Sequence, residues 1–321
     1  MIDKQKNSRL VFFGTSNFAV PVLRALVENN WLIAGVVTQP DKPAKRGLKM
    51  EASPVKKVAQ ELKLKIIQPE NLNKPEIAEE LKHLKAKVGV LVSFGKIVSQ
   101  CIIDIFPRGI LNLHPSLLPK YRGPSPIQAA ILNGDEETGV SVMLLDAKMD
   151  HGNIIESQKS IRRPADKNQN YFELEKELAK NGAELLKEVL PRWLEGKIKP
   201  QEQDDNAATY TKIIKKEDGR IDWRKSAEEI ERRIRAFNPW PGTWTMWQGK
   251  RLKILQAGVV KSPSELALVP GSIVRAKNGP IRVICGQNGL ELIHVQLEGK
   301  KAVSAQEFVR GYQGFIGSRL A

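Results

Sequence analysis

Two polar side chains interrupt an apolar stretch near the middle of the chain. The segment GILNLHPSLLP places Asn112 and His114 two residues apart in a β-like segment, so both side chains are predicted to share one face. A second β-like segment, GVSVMLLDAKMD, ends at Asp150, which a loop after an adjacent strand would deliver. Asn can donate to an oxyanion, His can take a proton near neutral pH, and Asp can orient the imidazole or its bound water. This combination suits acyl transfer to a nitrogen.

The same residues also allow a structural interpretation. A histidine beside a proline is often a hydrogen-bonded structural residue, and an aspartate close to a glycine is often part of a turn. The sequence alone therefore does not establish that the three side chains converge.

Motifs of other enzyme classes are absent or incomplete. The chain contains no GxGxxG, Walker A, HExxH or GxSxG sequence, and SFGK matches SxxK without its partner motifs. The segment Asp146–Gly152 is similar to a calcium loop, but Lys148 and His151 occupy a ligand position and the required glycine position. We therefore predict no metal site.

Strand-like and helix-like segments alternate through the first part of the chain. RLVFFGT, WLIAGVVTQ and KIIQP are typical of strands, and helical spacing appears in NFAVPVLRALVENN. Ser53-Pro54 and Ser125-Pro126 are N-cap signals for further helices. The alternation predicts a parallel, doubly wound α/β sheet with Asn112 and His114 near its carboxyl edge.

The pattern changes toward the C-terminus. Residues 196–208 are polar and lack periodicity, so we predict a linker between residues 1–195 and 209–321. Beyond it, short β-like segments are punctuated by Asn278-Gly279 and Asn288-Gly289, and Asn-Gly is the strongest short-range hairpin signal. These features predict a smaller antiparallel barrel of the OB type, which is a platform for oligonucleotides.

The positive charge is concentrated in that C-terminal part. The net charge is +15, and residues 1–205 hold 31 basic against 26 acidic side chains. Residues 206–321 hold 20 basic against 10 acidic side chains. Such a basic domain attracts polyanions, nucleic acid above all, although a merely basic surface remains an alternative.

Cysteines and hydropathy limit the remaining classes. Cys101 and Cys285 are far apart in apolar segments, so we expect two buried free thiols and neither a disulfide nor a metal site. The sequence has no apolar stretch long enough to span a bilayer and no signal peptide. We expect a soluble cytoplasmic protein without membrane contacts.

The central residues lie in a longer recognisable sequence. NLHPSLLPKYRGPSPIQAAILNGDEETGVSVMLLDAKMDHGNII resembles the signature of the formyltransferases that use 10-formyltetrahydrofolate. VFFGTSNFAVPVLRAL, TQPDKPAKRGLKMEASPVKKVA and ATYTKIIKKEDGRIDWRKSAEEIERRIRAFNPWPGTWT are similar to the members that act on methionyl-tRNA. The resemblance covers nearly the whole chain.

The resemblance implies a Rossmann-type formyltransferase domain, a linker and an OB-like C-terminal barrel. It implies transfer of the formyl group of 10-formyltetrahydrofolate to the α-amino group of methionine on initiator tRNA, without a metal. Charged initiator tRNA and the folate are then the partners, and we expect a monomer. By motif, the catalytic residues are Asn112 in NLH, His114 in LHP and Asp150 in MDHG.

The resemblance also implies binding residues. The pterin edge would contact backbone near Val92–Gly95 and the loop Asp146–Asp150. The expected folate-binding residues are Val92, Ser93, Phe94, Gly95, Ser116, Leu117, Leu118, Pro119 and Asp146. Two positions depart from the family pattern: the opening has GTSNF in place of GTPEF, and His151 stands where a small residue, often Thr, is usual.

A basic segment follows the strand-like WLIAGVVTQ. Its residues Lys42, Lys45, Arg46 and Lys49 are the expected tRNA-binding residues, with Arg46 the key residue by motif. Because Pro40, Pro43 and Gly47 disfavour regular structure, we expect a loop that is mobile without tRNA and orders on binding it. A solvated loop with no function is the alternative.

Other functions fit parts of this pattern. An enzyme on the same scaffold could formylate an amino-sugar nucleotide or glycinamide ribonucleotide, although the second usually needs only the N-terminal domain. A non-catalytic RNA-binding protein is a further alternative, which the intact Asn112, His114 and Asp150 disfavour.

Overall fold

The computed structural model describes residues 8–44, 49–161, 169–261, 269–275 and 279–321. Its contacts divide the chain into two compact units. The first unit comprises Met1–Pro126, Glu137–Arg162 and Glu173–Lys212, and the second comprises Ile127–Glu136, Arg163–Phe172 and Ile213–Ala321. The segment 196–208, predicted as a linker, lies within the first unit. The domain boundaries given above stay a prediction.

The strands of the described residues form three sheets. They are β1 (Arg9–Gly14), β2 (Leu32–Val37), β3 (Lys42–Ala44), β4 (Lys49–Glu51), β5 (Ile66–Ile67), β6 (Val88–Val92), β7 (Ile110–His114), β8 (Glu137–Leu144), β9 (Ile154–Ile161), β10 (Thr243–Trp247), β11 (Lys250–Val260), β12 (Ile273–Arg275), β13 (Ile281–Ile284), β14 (Gly289–Leu297) and β15 (Val303–Ser304).

Helices connect and cover these strands. They are α1 (Ala19–Glu28), α2 (Pro54–Glu61), α3 (Pro75–His83), α4 (Gln100–Ile103), α5 (Pro126–Asn133), α6 (Tyr171–Leu194), α7 (Ala227–Phe237) and α8 (Ala305–Gly311). The predicted cap at α2 is confirmed, since the Ser53 hydroxyl accepts a hydrogen bond from the Lys56 amide at 3.0 Å and Pro54 opens the helix. Helix α5 also begins at its proline, Pro126.

The sheet of the first unit has the strand order β5-β2-β1-β6-β7-β8-β9. In this order, neighbouring strands from β5 through β2, β1 and β6 to β7 pair in parallel. Strand β8 pairs antiparallel with both β7 and β9. Strands β6 and β7 are buried along their whole length, as expected where both faces of a parallel sheet are covered. The predicted Rossmann-type, mostly parallel α/β fold is confirmed.

Helix α6 packs closely on one face of β7. A Cβ atom on Gly182 would lie 2.5 Å from Cδ2 of Leu113, so a larger residue there would require the Leu113 side chain or the helix to shift. Because alternate side chains of a strand point to opposite faces, Asn112 and His114 lie on the face away from that contact.

The second unit contains a curled antiparallel sheet with the order β10-β11-β14-β13-β12, and β15 pairs with β14. Its described core includes a cluster of aromatic rings in which Trp247 contacts Phe308, Tyr312 and Phe315 edge to face. Strand β12 pairs with β13 and β13 with β14, so the pairing expected around both Asn-Gly sequences is confirmed. Asn278 itself lies outside the described residues. The OB-like C-terminal fold is therefore confirmed.

Two local expectations are wrong. The segment with Pro43 forms regular structure where it is described, since Lys42–Ala44 and Lys49–Glu51 pair as antiparallel strands. Cys101 is exposed, and only Cys285 is buried. Burial raises the pKa of the Cys285 thiol to about 12. Within the described ranges, no helix is long and apolar enough to cross a membrane.

Candidate active site

The carboxyl ends of the parallel strands β1, β2, β6 and β7 meet at one edge of the sheet. Hydrogen bonds link the segments that follow these strands. The Thr15 hydroxyl donates to the Phe94 carbonyl at 2.9 Å, and the Gln39 amide donates to the same oxygen at 2.7 Å. Ser16 and Ser93 join their hydroxyls at 2.8 Å. This edge is where open α/β sheets bind their ligands.

Asn112, His114 and Asp150 converge at this edge. Asn112 and His114 are each 5% exposed at the end of β7. The Asn112 amide donates to Asp150 Oδ1 at 3.2 Å, and His114 Nδ1 lies 3.6 Å from Asp150 Oδ2. Burying a polar group costs free energy unless it is paired, and the contacts with Asp150 reduce that cost for Asn112 and His114.

A backbone carbonyl defines the tautomer of His114. Its Nε2 lies 3.0 Å from the Tyr121 carbonyl oxygen, which can only accept, so Nε2 carries a hydrogen. In the neutral ring, Nδ1 is then an unprotonated base that faces the Asp150 carboxylate. After it takes a proton, Nδ1 can donate toward Asp150 while Nε2 still donates to Tyr121.

Asp150 reaches the site by an unexpected route. Strand β8 is antiparallel to β7, with Leu144 opposite Leu111, so it ends at the edge away from His114. The chain then returns to the carboxyl edge, and Asp150 adopts a left-handed conformation with φ of +48°. Aspartate tolerates this conformation better than most residues.

Hydrogen bonds hold the returning loop. The Gln203 amide donates to the Asp150 carbonyl at 3.0 Å and to the Gly152 carbonyl at 2.7 Å. The Gly123 amide donates to Asp150 Oδ2 at 2.7 Å. A Cβ on Gly152 would lie 1.9 Å from the Leu144 carbonyl oxygen, so a larger residue there would displace the loop.

Arg122 organises this support and was missed by the sequence reasoning. It is fully buried, and its guanidinium donates to Gln203, Tyr210 and Asp205 at 2.8 to 3.0 Å. Burial alone would lower the pKa of Arg122, but the bonds to Asp205 and Tyr210 raise it. The Arg122 hydrogen bond also lowers the pKa of the Asp205 carboxyl. The available signal was the pair of segments KYRGPS and ATYT, which the resemblance included without roles.

Comparison with known proteins places this geometry in a family. The family described as formyl transferase matches residues 8–190, and its C-terminal domain matches residues 213–313. A methionyl-tRNA formyltransferase from Chloroflexus aurantiacus is 44% identical over 304 residues, which cover 94% of this chain and 96% of that protein. The chain belongs to the formyltransferase family.

Solved structures share the fold of this formyltransferase. An N-formyltransferase from Helicobacter canadensis, in complex with folinic acid and dTDP-3-aminofucose, has a TM-score of 0.64 at 21% identity and covers 89% of this chain and 99% of that chain. HypX from Aquifex aeolicus, in complex with tetrahydrofolic acid, has a TM-score of 0.64 at 15% identity. That match covers 96% of this chain and 48% of HypX, so this chain spans about half its length.

The segment expected to contact the pterin follows β6 in this formyltransferase. Ser93 and Gly95 are exposed, and both have positive φ angles, +45° and +74°. Phe94 is buried and packs edge to face against Phe13, so its ring belongs to the core. Backbone of Val92–Gly95 lies beside β7, since Val92 pairs with Leu113.

The other expected folate residues differ in accessibility. Ser116 and Leu118 are buried, and both bond to the Ser141 hydroxyl through their backbones at 2.8 and 3.1 Å. Leu117 and Pro119 are partly exposed, as is Asp146 in the returning loop. Buried Ser116 and Leu118 therefore support the turn after β7 in this formyltransferase.

The expected tRNA-binding residues are described only in part. Lys42 lies in β3, where its ammonium donates to the Gln39 side chain at 2.5 Å. Lys49 lies in β4, but the structure does not describe its side chain. Lys45 and Arg46 lie outside the described residues. Hairpin β3–β4 thus follows β2 and is linked through Gln39 to the Phe94 carbonyl. Among the described residues, no group of His, Cys, Asp or Glu side chains could hold a metal ion.

Proposed function

We propose that this protein transfers the formyl group of 10-formyltetrahydrofolate to the α-amino group of methionyl initiator tRNA, with Asn112, His114 and Asp150 as the catalytic residues. The observation that carries the proposal is the convergence of buried Asn112 and His114 with the partly exposed Asp150 at the carboxyl edge of the sheet. The family assignment and the name of the Chloroflexus relative support the choice of reaction and acceptor.

Asn112 stabilises the charge that develops on the formyl oxygen. Its Nδ2 carries two hydrogens, and one is directed to Asp150 Oδ1. The second can donate to the oxyanion that forms when the amine attacks the formyl carbon. A preorganised donor at such a position is worth roughly 10² to 10³ in rate.

His114, assisted by Asp150, transfers a proton from the attacking amine to the leaving nitrogen of the folate. Attack forms the new C–N bond and leaves an extra proton on the amine nitrogen, which passes to His114 Nδ1, directly or through water at Asp150. The tetrahedral centre then collapses and breaks its bond to N10 of the folate, which receives that proton. The imidazolium formed in between is stabilised on both sides, by the Tyr121 carbonyl and the Asp150 carboxylate.

Binding is divided between two sets of groups. The folate contacts backbone of Val92–Gly95 and the loop Asp146–Asp150, and basic groups of hairpin β3–β4 and of residues 209–321 contact tRNA. The excess charge of that C-terminal part supports this assignment. For each phosphate neutralised, log affinity for tRNA should fall by about 0.7 to 0.9 per unit of log salt concentration. We place the reaction in the cytoplasm, with a monomeric enzyme.

A side-by-side assay tests the proposed reaction. The full chain is given 10-formyltetrahydrofolate with charged initiator tRNA, with amino-sugar nucleotide, or with glycinamide ribonucleotide, and formylated product is measured. We expect rapid formylation of the charged tRNA alone and none in an uncharged tRNA control. Preferential formylation of either small acceptor would refute the proposed substrate, and no transfer to any acceptor would refute the proposed activity.

A further inference from the structure

His151 lies between two carboxylates beside the candidate site. Its Nδ1 is 2.7 Å from Asp146 Oδ2, and its Nε2 is 3.6 Å from Asp205 Oδ2. The imidazole is about one third exposed, at 32%. The catalytic scheme uses neither this ring nor Asp205.

The two carboxylates belong to segments that meet at the site. Asp146 opens the loop that returns Asp150 to the carboxyl edge, and its Oδ1 also accepts the Lys148 amide at 3.0 Å. Asp205 is anchored by the buried guanidinium of Arg122 at 2.8 Å. The far end of the loop is held separately, through the bonds of Gln203 and Gly123 around Asp150. His151 therefore ties the near end of the loop to the same buried arginine that supports its far end.

The charges around His151 determine how protonation affects this link. Asp146 and Asp205 face its two nitrogens, and Asp150 precedes it in the chain. Arg122 pairs with Asp205, and the positive charges of Arg122 and Lys148 both lower the pKa of the Asp205 carboxyl. A neutral imidazole can donate to one carboxylate only, whereas a protonated ring can donate to both. Histidine is the side chain whose charge ordinarily changes between about pH 5 and 8.

We propose that His151 is a positioning residue that, when protonated, clasps Asp146 to Asp205 and so holds the loop 146–150 in the conformation that binds the folate. The inference rests on the proposed function, because it assigns this loop to the folate. It predicts that folate affinity falls as the pH rises and the clasp loses its charge. The effect is modest, since partly exposed ion pairs are worth little.

Two substitutions isolate the charge of the clasp. His151→Gln keeps a neutral donor, and His151→Lys keeps a positive charge at every pH from about 5 to 8. Binding of folinic acid to the full chain is measured by calorimetry across that range. For the parent, the Kd should rise about two- to fivefold with pH. The Kd of His151→Gln should equal the parent's high-pH Kd at every pH. The Kd of His151→Lys should equal the parent's low-pH Kd at every pH.

Further variants separate positioning from general effects. Asp205→Asn keeps an oxygen that can accept from Arg122 but removes one charge facing His151. The change in the Kd of folinic acid with pH should therefore be smaller than in the parent. His83→Gln removes an exposed histidine on α3 of the first unit and should follow the parent. In steady-state assays, the His151 variants should change the KM for 10-formyltetrahydrofolate more than kcat at saturating folate.

The outcomes are distinguishable. A His151→Gln profile identical to the parent's, or equal affinities for the Gln and Lys variants, overturns the clasp while leaving formyl transfer by the parent intact. Equal changes in kcat and KM in both variants also overturn it, because they indicate general disruption of the site. If the parent binds no folinic acid at any pH, both the proposed function and the proposed role of His151 are wrong.

Discussion

In the first unit, an arginine, a histidine and an asparagine are buried at the carboxyl edge of the sheet, whereas the described interior of the second unit is mostly apolar and aromatic, with Thr243 and Thr245 as buried polar side chains. Arg122 is fully buried, and Asn112 and His114 are nearly so. In the second unit, the ion pair of Arg224 with Asp222 is at the surface, with the two side chains 84% and 40% exposed. An arginine–aspartate pair is therefore anchored in the interior in the first unit and is solvent-exposed at Arg224 in the second.

The two units differ in how far along the chain their buried polar groups find partners. A buried polar group requires partners that offset its desolvation, and the first unit supplies them from distant segments. In the second unit, the side chains of Arg235 and Glu231 also pair while only 13% and 16% exposed, but they lie four residues apart on helix α7, so this pairing needs no distant segment. Substitutions should consequently be severe at the carboxyl edge and mild among the surface ion pairs.

The largest effect is expected at the three proposed catalytic residues. His114→Ala and Asn112→Ala should each lower turnover by about 10²-fold or more, because a proton acceptor or an oxyanion donor is lost. Asp150→Asn should behave similarly while tolerating the left-handed backbone. Single-turnover formylation of charged tRNA measures this, with His83→Ala as the exposed control. Near-normal turnover in any one variant removes that residue from the catalytic assignment.

Loss of the Arg122 guanidinium should be next in size. Arg122→Met removes three partly buried hydrogen bonds and should lower the free energy of unfolding by about 2 kcal/mol, since the partners Asp205 and Tyr210 are exposed and can be hydrated again. Urea denaturation measures it. Arg24→Met, at the exposed pair with Glu61, is the matched control and should change stability by less than about 0.5 kcal/mol. Equal losses in both variants would contradict the contrast between buried and exposed charges.

A third prediction asks whether the first unit also contacts tRNA. Arg46→Ala should lower kcat/KM for charged tRNA by about tenfold, the loss of one charge-assisted contact, with folinic acid binding unchanged. Arg46→Lys should restore only part, because a lysine ammonium cannot grip phosphate or a base edge bidentately. Kinetics over a range of tRNA concentrations decide the matter. If both variants match the parent, the segment is a solvated connection.

The smallest effect concerns acid stability in the second unit. Hydrogen bonds from the Arg224 side chain and amide lower the pKa of Asp222 to about 2. Because the folded pKa is depressed, the stabilisation is present above the ordinary range near pH 4 and disappears as the pH falls through about 2. Exposure reduces its size to about 0.5 kcal/mol. Asp222→Asn should flatten acid unfolding curves by this amount, and a change above about 2 kcal/mol would show that the pair is not a weak surface contact.

Local signals in the sequence were sufficient for the order and type of many elements. Ser53-Pro54 predicted the start of α2, the two-residue spacing predicted that Asn112 and His114 share a face, and Asn288-Gly289 predicted a hairpin. Each of these depends on interactions within a few residues, so neighbouring side chains carry the information.

The support of the site depended on tertiary structure. Arg122 meets Gln203 across 81 positions, and the antiparallel direction of β8 determines how Asp150 returns to β7. The exposure of Cys101 and the pairing of Lys42–Ala44 with Lys49–Glu51 were likewise not evident from composition. The sequence by itself determined which side chains could perform the chemistry and the periodicity of their strands. Which distant segments meet around them was decided only on folding, because long-range packing and hydrogen bonding leave no local pattern in the chain.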